Sequence, residues 1–416
     1  MKQEAYFLFL LERSGISRKQ LAELSERSTR TIARWETGEL KPPKLVVKLL
    51  NKLISEKYPK DTSKHDFTFI DLFAGIGGFR KGFESIGGKC VFTSEWDKYA
   101  RQTYIANFGG GHEIIGDIEN DSFQSKIPKH DVLLAGFPCQ PFSLAGVVKK
   151  NSLGRPHGFD DPTQGTLFFS IKKILQEKRP AAFLLENVKN LKSHDKGNTF
   201  RVISETLDKL EYSWDFIVLD AKALVPQHRE RIFMAGFRKD TGFSFEDFMY
   251  PSPKNGPKLA SILHTEDGSE EPEAEYTTGV KARVNKKYTL SPGLWNYLKN
   301  YAKVQKAKGN GFGYGLFGSD DVSRTLSARY YKDGSEALIK QARKRPRRLT
   351  PRECARLMGY DEDASRPMII PVSDKQAYRQ FGNGVVVPVV KAVAKFMKPH
   401  ILKSMKGKVS RPNKGK

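Results

Sequence analysis

The sequence predicts an α/β protein: an open Rossmann-like sheet, preceded by an all-α unit and followed by a smaller loop-rich domain. Three observations carry this. From Phe67 to about residue 240, short β-rich apolar runs alternate with helical patterns, the texture of a sheet wound with helices. The first run, Phe67 to Leu72, enters the glycine turn Phe73-Ala74-Gly75-Ile76-Gly77-Gly78 and then a short helix, an opening common to nucleotide-binding sheets. Residues 1 to about 58 carry apolar residues at helical spacing only.

Composition sets outer bounds. A chain of 416 residues suggests two or three units. With 38% hydrophobic residues it can build a sizeable core, and no apolar run approaches the ~20 residues of a membrane span. Met1-Lys2-Gln3-Glu4 leads straight into an amphipathic pattern, so no signal peptide is expected. The three cysteines, Cys90, Cys139 and Cys354, are odd in number and far apart. They suit neither a disulfide framework nor a zinc site, which points to a reducing cytoplasm. Lys+Arg 71 against Asp+Glu 47 gives 71 − 47 = +24, an excess that favours a polyanionic partner. Charge alone leaves DNA, RNA and ribosome association open.

The N-terminal unit, 1–58, repeats apolar residues through Tyr6 to Leu11 and Leu21 to Leu24. The turn Ser25-Glu26-Arg27 leads to Ser28, a candidate helix cap, then to Thr29 through Glu36, stopped by Gly38. The pattern resembles the Cro/repressor type of helix-turn-helix, including Trp35-Glu36-Thr37-Gly38 and the prolines Pro42 and Pro43. That resemblance implies a helix entering a major groove with Thr29 and Arg30 at its start. A helical bundle that binds only protein is the alternative. Residues 59–66 read as a polar linker.

In the sheet region Arg80 stands where a dinucleotide fingerprint has its third glycine. The expected ligand is therefore a nucleoside without a pyrophosphate. A strand from Lys89 to Ser94 ends in Glu95-Trp96-Asp97, with Glu95 placed 95 − 75 = 20 positions beyond Gly75, as for a ribose-binding acid. Asp117 follows a third apolar segment. The run Asp131 to Phe137 reads as a buried strand ending at Pro138-Cys139-Gln140-Pro141, a thiol on a stiff loop where open sheets bind ligands. A lone cysteine is more often structural; the rest of the chain argues otherwise. Phe142 to Asp161 reads as a glycine-rich basic loop and Thr166 to Lys178 as a helix. The strand from Ala181 to Leu185 leads into Glu186-Asn187-Val188, where a desolvated carboxyl should have a raised pKa. An exposed helix-capping glutamate is the other reading. Asp215 to Asp220 and Ile232 to Phe237 complete the pattern around Pro226 to Arg231.

Beyond residue 240 the regular texture stops. The acidic stretch His264 to Glu275 reads as a solvated loop. Gly309 to Gly315 and Arg324 to Gly334 interleave glycine, aromatic and basic residues, as suits a DNA-reading surface. Arg343 to Arg348 would contact phosphates or form a solvated run. Pro351 to Gly359 reads as a helix, and Gln380-Phe381-Gly382-Asn383 as the opening of a last, valine-rich helix. The tail, 403–416, is basic.

In order, Phe73-Ala74-Gly75-x-Gly77-Gly78, Gly136 to Ser143 around Cys139, Glu186-Asn187-Val188, Gln227-x-Arg229-x-Arg231 and Gln380 to Asn383 resemble the cytosine-5 DNA methyltransferases. The resemblance spans about residues 67–400, and within the family it is nearest to bacterial Dcm-type enzymes of CCWGG and related CCNGG-type sites. It implies an S-adenosylmethionine-dependent methyltransferase sheet in 67–240, a target-recognition domain in 241–345 and a return to the catalytic domain in 346–402. It also implies that Cys139 attacks carbon-6 of a flipped-out cytosine and that Glu186 engages ring nitrogen 3. Arg229 would bind the base carbonyl and help hold Glu186, with Arg231 lining the pocket. Phe73 and Trp96 would pack on the adenine of S-adenosylmethionine, beside the turn glycines Gly75 and Gly77; Glu95 would hold its ribose, Asp117 its amino group, and Asn383 would border it. Arg324 and Arg329 would read guanines. The partners implied are double-stranded DNA and the protein's own promoter, with no metal, no membrane and a monomer in catalysis, in a restriction-modification system. Two departures are visible: Gly384 replaces the family's usual serine, and the segment from Phe142 to Phe159 is longer than usual. A tRNA cytosine-5 methyltransferase, or a helix-turn-helix regulator on a non-catalytic core, are the alternatives.

Overall fold

The computed structural model describes residues 3–57, 64–109, 111–112, 114–118, 125–138, 167–311, 313–362 and 366–406. Four helices open the chain: α1 (Gln3–Ser14), α2 (Arg18–Leu24), α3 (Thr29–Glu36) and α4 (Lys44–Lys57). Ser17 and Gln20 form a reciprocal capping box on α2 that the sequence reading did not single out, and the expected cap Ser28 accepts the Thr31 amide at the start of α3. The apolar stripes converge on a small core in which Phe7 meets Trp35 edge-to-face at 5.8 Å.

A seven-stranded sheet follows, built from β1 (Phe67–Leu72), β2 (Gly88–Ser94), β3 (Ile114–Ile115), β4 (Val132–Gly136), β5 (Ala182–Val188), β6 (Ser213–Asp220) and β7 (Glu230–Phe237). Its order is β3-β2-β1-β4-β5-β7-β6, parallel except for β7, which runs against both β5 and β6. The apolar runs are continuous because both faces are covered. In β4, Val132 and Leu134 join one core while Leu133 and Ala135 join the other, the period-two consequence of the pleat. Helices α5 (Gly78–Glu84), α6 (Lys98–Phe108), α7 (Leu167–Lys178) and α8 (Asn198–Lys209) connect the strands. The strand order reverses beside β1, so the carboxyl ends of β1 and β4 flank the crevice where such sheets take ligands.

The remaining chain forms short 3-10 turns, a small β8 (Thr277–Thr278) and β9 (Arg283–Val284) pair, and helix α9 (Pro292–Ala307). A three-stranded sheet then orders β10 (Leu316–Phe317), β11 (Leu338–Gln341) and β12 (Lys344–Arg348). Helices α10 (Pro351–Leu357), α11 (Asp374–Asn383) and α12 (Val387–Lys406) return to the large sheet, where Val387, Val390 and Val393 pack into the core shared by Phe79 and Phe83.

Several expectations are corrected. The basic run 343–348 is not simply solvated: Arg345 donates to the Leu290 carbonyl, and Arg347 is 4% exposed, donating at 2.7 and 2.8 Å to the two oxygens of the fully buried Glu353. The run forms a strand that crosses the expected boundary at 345. The stretch His264 to Glu275 is not a free loop either. His264 is buried against Glu270 and Thr350, Glu273 pairs with Arg352 at 2.8 Å, and Glu270 pairs with Arg356. Gln380 to Asn383 close α11 rather than opening the valine helix, which starts at Val387. Residue 403 lies within α12, which runs on to Lys406. Asp66, assigned to the linker, is already fixed by an ion pair to Lys398 at 2.7 Å.

Glu353 also accepts the amides of His264 and Thr350. Burial opposes its charge, yet Arg347 and these donors hold its pKa below the ordinary carboxylate range. A depressed folded pKa stabilises above the unfolded value and is lost as pH falls through the folded one. Glu353→Ala, which strands a buried guanidinium, is expected to cost ~3–5 kcal/mol in urea unfolding at neutral pH, with the deficit shrinking in acid.

Candidate active site

The carboxyl ends of β1, β2, β4 and β5, with α11 and the Gly382–Gly384 segment, enclose a cavity of ≈ 830 Å³. The β1 end holds it open through backbone geometry. Phe73 adopts a positive φ of 55°, uncommon for a non-glycine residue, and Gly77 has φ 83°. A Cβ on Gly77 would lie 2.2 Å from the Phe108 ring, so glycine is required there on two counts. Phe73 and Gly75 line the cavity.

At the β2 end Glu95 is 7% exposed, its two oxygens accepting the Gly75 and Asp97 amides at 2.8 Å. Burial raises its pKa, against the lowering effect of those amides. The carboxylate thereby fixes the glycine turn to β2. Trp96, beside it, is 82% exposed at the rim, and Asp117 lines the cavity beyond β3. Asn383, at the end of α11, closes the opposite side.

The β4–β5 side carries the acid–base groups. Gly136 pairs with Glu186 in the parallel register, and Glu186 pairs with Phe233 on β7. Val188 pairs with Arg231, so Arg231 lies diagonally across from Glu186 on the same face. Its Nε stands 3.1 Å from Glu186 Oε1. Burial raises the Glu186 pKa; Arg231 first, then Arg229, oppose the rise. Arg229 was expected to help hold Glu186 and Arg231 to line the pocket; both line the cavity, and the ion pair to Glu186 is made by Arg231. Arg229, 2% exposed, donates to the carbonyls of Leu326 (2.8 Å), Gly382 (3.0 Å) and Gly384 (2.7 Å), while Arg231 makes the ion pair with Glu186. Arg229 lies one residue before β7 and escapes its alternation. Burial, then Arg231, lowers its pKa, and three carbonyl acceptors favour its charge.

Asn187 had been given no role. Its Nδ2 donates to the Phe137 carbonyl at 2.8 Å, fixing the end of β4 from β5. Pro138 lines the cavity. Cys139, the next residue, lies outside the described residues, as does the loop from Phe142 to Asp161. The other two cysteines are buried, and burial pushes the Cys90 thiol up to about 11 and that of Cys354 well above its ordinary value, which makes both poor nucleophiles. Gln227 also lacked a role. Its Oε1 accepts the Leu326 amide at 2.8 Å while its Nε2 reaches the Met358 sulfur. A glutamine opening a basic motif gave the one available signal. Arg324 and Arg329 are exposed on either side of buried Leu326, with Arg324 Nη1 on the Gly313 carbonyl at 3.3 Å. Thr29 and Arg30 are exposed at the start of α3, apart from this cavity. No group of metal-ligating side chains occurs among the described residues.

A family model for C-5 cytosine-specific DNA methylase matches residues 67–399. The DNA-cytosine methyltransferase of Escherichia coli (strain K12) is 50% identical over 396 residues, covering 82% of this chain and 80% of that one. The type II methyltransferase M.SsoII of Shigella sonnei is 45% identical over 391 residues, covering 92% and 94%. Among solved structures, a Spodoptera frugiperda DNMT2 mutant shares the fold at TM-score 0.58 and 20% identity, covering 80% of this chain and 99% of that one.

Because Arg231 is the first cation opposing the raised pKa of Glu186, Arg231→Gln is expected to move the Glu186 titration further upward. Carboxyl NMR of carbon-13-labelled glutamate reads this directly.

Proposed function

The chain belongs to the C-5 cytosine-specific DNA methylase family, and from that premise we propose that it methylates carbon-5 of a flipped-out cytosine in duplex DNA through Cys139. The observation that carries the proposal is Glu186: a carboxyl with raised pKa, clamped by Arg231, in the cleft that Pro138 also lines.

S-adenosylmethionine, the methyl donor of this family, fits the residues present. Phe73 and the exposed Trp96 offer two aromatic faces, Glu95 a carboxylate for ribose hydroxyls, and Asp117 an acceptor for an amino group. Its sulfonium supplies an electrophilic methyl group. Gly75, Gly77 and Asn383 would shape and border its cleft.

Cytosine is not nucleophilic at carbon-5 until a nucleophile adds at carbon-6. In the proposed reaction the Cys139 thiolate forms a bond to carbon-6, and Glu186, whose pKa burial raises, gives a proton to ring nitrogen 3. Arg231 keeps Glu186 aimed through their ion pair, and Arg229, which lines the same cavity, would bind the base carbonyl while its other N–H groups brace the wall. Once carbon-5 carries the methyl group, its proton leaves to a base, the carbon–sulfur bond breaks, and the ring is restored with the proton on nitrogen 3 returned to Glu186. A target inside a stacked duplex is out of the thiol's reach, so the base must leave the helix.

The proposed target is the inner cytosine of CCWGG or a CCNGG-type site, with Arg324 and Arg329 reading guanine edges, each good bidentate pair discriminating by ~1–3 kcal/mol. The resemblance of 309–334 to Dcm-type segments and the exposure of both arginines support this. We further propose that α2 and α3 form a helix-turn-helix that binds the protein's own promoter, supported by the Ser28 cap and the exposed Thr29 and Arg30.

Duplex DNA carrying 5-fluorocytosine at the target should trap a covalent complex with the wild type and not with Cys139→Ala; an adduct that persists in Cys139→Ala overturns the mechanism. Bisulfite sequencing of host DNA should find the mark in CCWGG, and its concentration in CCGG or GGCC refutes the site. Thr29→Ala with Arg30→Ala in the full chain should lose promoter binding in a mobility-shift assay and retain methyl transfer to short duplexes.

A further inference from the structure

Helix α9 stands out from the body of the protein. It rests on a narrow seam of Leu294, Trp295 and Leu298 against Leu290, Leu338 and Tyr314, and most of its other side chains are exposed. Two rows share the i, i+4, i+7 spacing of a helix face. Tyr297, Tyr301 and Val304 form one, exposed by 59%, 41% and 48%, with the two rings stacked at 6.2 Å and 23°. Lys299, Lys303 and Lys306 form the other, all exposed. The rows are offset by two residues, about 200° around the helix, and so flank opposite sides of its outer surface.

An exposed aromatic row by itself would suit many partners. The charge decides between them. From Tyr276 to Ser319 the chain carries eight Lys and Arg and no Asp or Glu, whereas acids occur on both sides of that span. Lys287 of that span is paired with Asp374, but the three lysines of the α9 row are exposed, and with tyrosine hydroxyls as added donors they match a phosphate backbone. Position agrees. The carboxyl end of α9 runs into Gly309 to Gly315, and Gly313 holds Arg324, a proposed base reader. At 1.5 Å per residue α9 is ~24 Å long, about seven base pairs of a duplex that rises ~3.4 Å per step.

We propose that the outer surface of α9 is a second grip on duplex DNA, holding phosphates beside the target regardless of sequence. The lysine row neutralises phosphates and the tyrosine row hydrogen-bonds and packs along the backbone. The proposal rests on the reading that this chain acts on duplex DNA. It adds a contact made on any duplex, by which the protein would hold DNA before the target is found.

The test compares full-length wild type with the triple variant Lys299→Ala, Lys303→Ala, Lys306→Ala, by fluorescence anisotropy on a duplex of about 30 bp lacking CCWGG. The variant should bind roughly tenfold more weakly near 100 mM salt, and the slope of log affinity against log salt should shrink by ~2–3, since each phosphate contact is worth ~0.9. Tyr297→Phe with Tyr301→Phe should weaken binding with the slope unchanged. Unaltered S-adenosylhomocysteine affinity verifies the fold of each variant. Equal affinity and slope for wild type and triple variant overturn the proposal. So does tighter binding of the wild type to phosphatidylglycerol vesicles than to duplex at equal phosphate concentration. A wild type that binds duplex yet methylates no cytosine would sink the catalytic reading and leave this comparison intact.

Discussion

The arrangement depends on one buried cation. The Arg229 guanidinium joins three segments far apart in sequence: the approach to β7, the segment at Leu326, and the end of α11 at Gly382 and Gly384. Backbone carbonyls are weak acceptors singly. Three of them around a planar donor with five N–H groups make a junction that a lysine could not reproduce. Gln227 and Thr325 add bonds across the same seam, Gln227 to the Leu326 amide and Thr325 to the His228 carbonyl. The segment carrying the proposed base readers is thus bonded to the strand that carries Arg231.

Because Arg229 is taken up by those carbonyls, Arg231, two residues further on and inside β7, is the cation that pairs with Glu186. At Glu95 the oxygens fix the glycine turn while facing the cavity. Deeper in β1 lies Asp71, fully buried, which burial pushes up to about 8 against the pull of Arg80. Burial thus raises the pKa of three carboxyls near the strand ends, Glu186 and Glu95 in the cavity lining and Asp71 behind it.

What the sequence made legible was local. Ser28 reads as a cap because its bond closes within three residues, and the β1 turn reads as a turn because its glycines are contiguous. Glu186 was visible because a buried apolar run leads directly into it. What stayed hidden depends on partners brought together by register. Nothing in Gln227-x-Arg229-x-Arg231 says which arginine faces Glu186; only the β5–β7 pairing decides it. Arg347 looked like part of a solvated charge run because its acid, Glu353, meets it only after β12 turns into α10. Gln380 to Asn383 were joined to the valines that follow because an apolar run shows where a helix continues more clearly than where one has just ended.

The contact at Gly382 has a further consequence. A Cβ there would lie 2.3 Å from the backbone of Ser327 and Ala328, so the 323–328 segment meets the end of α11 through bare main chain. Specificity can diverge freely only where such contact is missing. The stretch from Ser323 to Ala328, bonded to Gln227 and His228 on one side and pressed against Gly382 on the other, pins these segments together. A cassette cut at residues 241 and 345 would import that pin while leaving Gln227, Arg229 and Gly382 behind in the recipient. A graft across those cuts would therefore have to keep the main-chain path of 323–328, whereas the side chains it displays outward could change without disturbing the junction.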